Sequence, residues 1–195
     1  MRIRSFAFYG QNGSVFANFV ADAFEDLADR DARSLIIDVR GNHGGSGLAA
    51  AFLLRRLASE PFSYWAPETD SGANDDLFEV QLPVETGFEG DVFLLVNADT
   101  FSAVPHFAAL AKEHGMATLV GEPMGGGTST NDAKRSHSSS NHGVNYRVAT
   151  MRFDIDAPSI GMGASVQPEV LLEATVDDVL LGRDSQLRAA IALAS

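Results

Sequence analysis

The sequence predicts an α/β protein in which a sheet is layered against helices. Three observations predict it. Apolar, β-branched runs of strand length alternate with segments of helical spacing along most of the chain. Two of those strands pass through short turns directly into helices, one turn holding Gly44 and Gly45 and the other Ser102. The composition, 45% hydrophobic and 21% charged over 195 residues, suits one substantial core, and no repeat or linker divides residues 1–195.

Taken in order, residues 3–8 read as a strand and Gln11-Asn12-Gly13 as a turn. Residues 15–27 place Val15, Phe16, Phe19, Val20, Ala23, Phe24 and Leu27 at helical spacing, with Ser14 as the expected N-cap. Residues 35–39 are an apolar run of strand length, and a helix is expected over 48–58. Strands are expected at 62–66 and 77–84, separated by an acidic loop at 68–76 that reads as solvated or as a lid. Residues 92–96 form a buried strand, Ser102 opens a helix, and a short strand precedes the Gly-rich loop. Residues 146–154 alternate as a strand, and 175–194 close the chain as helix. His137 and His142 flank the Ser138-Ser139-Ser140 run, which reads as a polar loop.

Charge and composition exclude several classes. A formal charge of −12 argues against the concentrated Lys and Arg surface that phosphate binding needs, so no nucleic-acid partner is expected. No apolar stretch approaches the roughly 20 residues needed to span a bilayer, and no signal peptide is read. With no cysteine and no histidine pair at zinc spacing, neither a metal nor a cofactor is expected.

A serine at a strand-to-helix junction often only caps the helix. Here it comes with a second unit, in which a glycine turn can direct a bare backbone N–H outward. A hydroxyl beside free amides is the equipment of acyl transfer.

The motifs LIIDVRGNHGG (35–45), TFSA (100–103) and TLVGEPMGGGT (118–128) occur in that order. QPEVLLEATVDDVLLGRD (167–184) follows them. Together they resemble the tail-specific, or C-terminal processing, serine peptidases (S41-like). The resemblance runs over nearly the whole chain. It implies a crotonase/ClpP-like layered fold with repeated strand–strand–helix units. It also implies Ser102 as nucleophile, the Gly45 and Ala103 amides as oxyanion hole, and Glu113 as a supporting acid. An extended peptide would pair with a strand edge near Gly125, Gly126 and Gly127.

The sequence departs from that pattern at the base. Bacterial members commonly carry a lysine in the Gly-rich loop, where this chain has Gly127. Of its two lysines, Lys112 lies ten residues past Ser102 on the same helix, roughly 15 Å away. Lys134 would serve only if its polar loop folds over the cleft. His106, four residues after Ser102, would share a helix face with it, and His43 sits in the glycine turn. Lys134, His106 and His43 are therefore the candidate bases, with a residue outside the chain as a further alternative. His114 at a helix end reads as a complement to the dipole. Some branches take a histidine from upstream, and processing peptidases carry a PDZ domain and helical segment before the core. The resemblance thus presents this chain as a catalytic core or a minimal homologue.

The expected function is a serine endopeptidase core acting on peptides or unfolded protein C-termini. The alternative is a non-catalytic peptide- or ligand-binding module that has lost the dyad lysine. A crotonase-type acyl-CoA enzyme fits less well, since a cationic phosphate site is hard to find. Oligomerisation and localisation are left open, although many family members are exported.

Overall fold

The computed structural model describes residues 1–70, 75–132 and 135–195. Its centre is a parallel sheet with strand order β1 (Ser34–Asp38), β2 (Asp91–Val96), β3 (Thr118–Gly121) and β8 (Val170–Leu171). Ile36 pairs with Phe93, Phe93 with Thr118, and Val120 with Val170. Strand alternation divides the side chains of β2 between two cores. Val92, Leu94 and Val96 join α1 (Gly13–Asp29), α2 (Gly47–Leu57) and α3 (Ala103–Glu113) on one face. Phe93 and Leu95 join Ala190 of α5 (Ser185–Leu193) on the other. The chain is thus mixed α/β, with helices on both faces of a parallel sheet.

Helix α3 is buried from Ala103 to Ala111. Its alanines, and Ala49, Ala50 and Ala51 of α2, let the two helices approach closely. Ser46 caps α2 by accepting from the Ala49 N–H. Helix α1 buries Phe16, Val20 and Phe24, while Val15 and Phe19 stay exposed.

Several expectations are corrected. Residues 3–8 are not a strand; among the described residues the N-terminal segment makes only isolated parallel bridges, Arg2↔Asp38 and Phe6↔Gly45. Residues 62–66 and 77–84 likewise hold only the bridges Phe62↔Gln81 and Trp65↔Ile155, with a 3-10 turn at Asp75–Leu77. Of the acidic loop expected at 68–76, residues 71–74 lie outside the described residues. Ser14 does not cap α1, whose N-cap is Asn12; the Ser14 hydroxyl donates to the Gln11 carbonyl. The closing helix is two, α4 (Val176–Leu180) and α5, separated at Gly182, whose φ is 62°.

The Ser-rich segment is in part the expected loop: Ser139, Ser140 and His142 lie in the turn between two strands, while His137 and Ser138 end the first of them. A strand β4 (Ser129–Asp132) pairs with β7 (Met151–Asp154), and β5 (Arg135–Ser138) pairs with β6 (Asn145–Val148). Asp132↔Met151 and Arg135↔Val148 share one register, so the two antiparallel ladders follow one another along the chain. The expected single strand over 146–154 is therefore shared between β6 and β7.

Candidate active site

Turns that follow β1, β2 and β3 carry the residues of interest. Ligand sites in parallel sheets lie at these carboxyl ends. After β1, Asn42 is fully buried and directs the turn from both ends of its amide. Its Oδ1 accepts from the Gly44 N–H at 2.9 Å, and its Nδ2 donates to the Ile3 carbonyl at 3.1 Å. Gly44 and Gly45 have φ of 94° and 140°. A Cβ on Gly44 would stand 2.6 Å from the Ser102 Cβ, and one on Gly45 2.1 Å from the Phe6 carbonyl carbon. Glycine is required at both positions by conformation and by space.

After β2, the chain turns at Ser102 with φ 60° and ψ −122°, a backbone conformation that side-chain-bearing residues seldom adopt. Ser102 holds the N-cap position of α3, yet its hydroxyl accepts no capping hydrogen bond. The backbone N–H groups of Gly45 and Ala103 also find no partner among the described residues. The Phe101 N–H donates to the Asn42 carbonyl at 3.3 Å, joining the two turns. At the α3 N-terminus, the helix dipole favours negative charge beside Ser102.

Ser102, Ala103, Gly45 and His106 line one cavity of about 650 Å³. Its other walls are largely apolar, including Phe8, Phe16, Phe52, Trp65, Leu77 and Phe153. His106, one turn beyond Ser102 on α3, is almost fully buried. Its Nε2 is 3.1 Å from the Thr130 hydroxyl, and the Trp65 ring stands edge-on at 5.8 Å. Burial pushes the imidazole down to about 4, and the Asp154 carboxylate opposes that shift. His106 is therefore neutral at pH 7.

The other candidates are elsewhere. His43 is exposed, turned to the Asp99 carboxylate at 2.9 Å, and outside the cavity lining. Lys134 lies outside the described residues. Lys112 bonds the Gln167 carbonyl and pairs with Glu169. Glu113 ends α3 and accepts from the Ser159 N–H and hydroxyl, away from the cavity. Gly125, Gly126 and Gly127 do not line the cavity either. A Cβ added at each would meet the chain itself: the Ala98 carbonyl at Gly125, the Pro105 ring at Gly126 and the Ala164 carbonyl at Gly127.

Two residues of the site were not singled out by the sequence. Asn42 had a signal, a polar side chain inside a glycine turn. Thr130 had none, because the Ser129–Asp132 strand is polar and carries no hydrophobic period. Arg40 of the same motif serves the fold, bonding Asp38 and Asp184 and so clamping β1 to the start of α5.

Among the described residues no helix is long and apolar enough to cross a membrane. No curated protein matches the sequence. Solved structures do. A putative peptidase from Parabacteroides merdae is 22% identical with a TM-score of 0.68, over 99% of this chain and 59% of that one. Mature CPAF is 14% identical with a TM-score of 0.69, over 99% and 49%. A photosystem II D1 C-terminal processing protease is 20% identical with a TM-score of 0.61, over 88% and 41%. The chain thus spans about half the length of these structures, and at such identities the likeness is one of fold. The family profile described as peptidase family S41 matches residues 1–169, and by that match the chain belongs to peptidase family S41.

Proposed function

We propose that the chain is the catalytic core of a serine peptidase that hydrolyses peptide bonds through an acyl-enzyme on Ser102. The observation that carries this reading is the Ser102 turn. A strained backbone holds a hydroxyl with no capping bond in a cavity wall beside two amides that have no partner among the described residues. In the proposed reaction, Ser102 Oγ attacks the scissile carbonyl carbon while neutral His106 takes its proton. The Gly45 and Ala103 N–H groups hold the oxyanion. The imidazolium then protonates the leaving amine, the C–N bond breaks, and an ester remains on Ser102. Water, deprotonated by His106, releases the acid and restores the hydroxyl. Thr130, bonded to Nε2, holds the ring in place.

The same reading extends to the architecture. We take the layered sheet to be crotonase/ClpP-like, with the bridged segments around Phe62 and Gln81 as reduced second strands of its units. The substrate would be a peptide or unfolded protein, its apolar side chain in the aromatic cavity.

Fluorophosphonate labelling read by intact mass tests the proposal. The expected result is one adduct, lost in Ser102→Ala and slowed about 10²-fold or more in His106→Gln. No adduct on the folded chain would defeat the idea that base and nucleophile both lie in these residues.

A further inference from the structure

The ribbon formed by β5 and β6 has no role in the chemistry above, and its charge is opposite to that of the rest of the chain. Between Asp132 and Asp154 the sequence has no acidic residue, while it carries Lys134, Arg135, Arg147 and Arg152. All 26 acidic residues lie outside that interval, in a chain of net charge −12. Every residue of β5 and β6 is exposed, on both faces of the two-stranded ladder.

Pairing sorts the side chains. Arg135 faces Val148 and His137 faces Tyr146, so these four share one face. The His137 and Tyr146 rings are stacked, with centroids 5.2 Å apart and planes 18° from parallel. Ser136, Ser138, Asn145 and Arg147 share the other. One face therefore presents Arg135 beside half-exposed Tyr146 and Val148, the opposite face presents Arg147, and neither strand carries an acid of its own.

Its register joins it to β4 and β7, which wall the Ser102 cavity through Thr130, Asp132, Met151 and Phe153. We infer that this ribbon is a docking surface for an acidic segment of the polypeptide whose scissile bond occupies that cavity. This inference rests on the peptidase reading for the identity of the occupant. The acidic body repels an acidic chain, so the ribbon is where such a chain gains attraction. Two copies of a chain at −12 repel one another, which disfavours self-association as the ribbon's use.

The test measures binding on the full chain carrying Ser102→Ala, so that it needs no catalysis. The probes are two fluorescent peptides with the same apolar centre, one flanked by Glu and the other by Lys, followed by anisotropy. The expected result is that the Glu peptide binds about tenfold more tightly, less so as salt rises. That preference should vanish in Arg135→Gln/Arg147→Gln and survive in Arg135→Lys/Arg147→Lys, with the thermal midpoint unchanged in both. Equal binding of the two peptides, or a preference that outlives the Gln pair, would overturn the inference. So would tighter, arginine-dependent binding to phosphatidylserine vesicles, or a dimer in light scattering that the Gln pair dissolves. Because labelling at Ser102 is measured separately, its failure would defeat the peptidase reading and leave this binding result standing.

Discussion

At the scale of single residues, the site depends on side chains that hold backbone in place. Asn42 satisfies a buried N–H and a buried carbonyl at once, and neither can reach water if the amide is removed. Asn42→Ala should therefore cost about 2–4 kcal/mol by urea denaturation. Asn42→Asp, which keeps the acceptor for Gly44, should cost less. If the aspartate variant is as damaged as the alanine one, the Gly44 bond is not what matters. Gly45→Ala would force a methyl into the Phe6 backbone and should fail to fold or lose about 3 kcal/mol or more.

His106 gives a prediction with a definite sign. Its folded pKa of about 4 lies below the ordinary 6.5, so the unfolded chain binds the proton more readily. The stability tied to this group is complete above pH 6.5 and falls as pH drops toward 4, by on the order of 3 kcal/mol. His106→Gln should remove that part of the slope in denaturation midpoints measured from pH 7 down to 4. A slope that is unchanged in the variant would assign the acid sensitivity to other groups.

At the scale of elements, legibility followed length and period. Helices α1, α2 and α3 and strands β1, β2 and β3 carry apolar residues at sustained spacing, and the sequence locates all six within a few residues. Segments 62–66 and 77–84 have strand composition, but each finds a partner at only one or two positions, a matter of tertiary placement. The ribbon was legible on one side only: residues 146–148 fall in the expected strand, whereas β5 is polar and exposed, so no hydrophobic alternation marks it. The Ser102 turn was legible because a serine and a glycine pair at two strand ends leave a local signature. The environment of His106 was not, since Trp65 and Thr130 come from distant parts of the sequence. The clamp between β1 and α5 is likewise long-range. Arg40 spans Asp38 and Asp184, and it holds the Asp184 carboxyl below its usual range. Arg40→Met should cost about 1–2 kcal/mol in urea denaturation at pH 7, because Asp38 and the more exposed Asp184 lose a shared, charge-assisted partner.

At the scale of the whole molecule, stability is unevenly distributed, and the cavity lies along the gradient. The β1–β2–β3 sheet and α3 are enclosed by helices, with Leu94, Leu95, Val96, Leu119 and Val120 out of reach of water. Ribbon strands β5 and β6 expose both faces, and α4 exposes Val176, Val179 and Leu180. Openings that release the least buried surface cost the least, so exchange of backbone amides should sort by this burial. Hydrogen exchange followed by mass spectrometry should show β2 and α3 among the slowest amides, close to the global unfolding free energy. Amides of β5, β6 and α4 should exchange fastest among the regular elements, with β4 and β7 intermediate because one face packs on the cavity wall. A ligand seated against Ser102 should slow β4 and β7 before it affects β2, which is already protected. If β5 and β6 prove as slow as β2 in the free chain, the ribbon is covered in solution. The docking surface would then already be occupied by another part of the molecule or by a second copy.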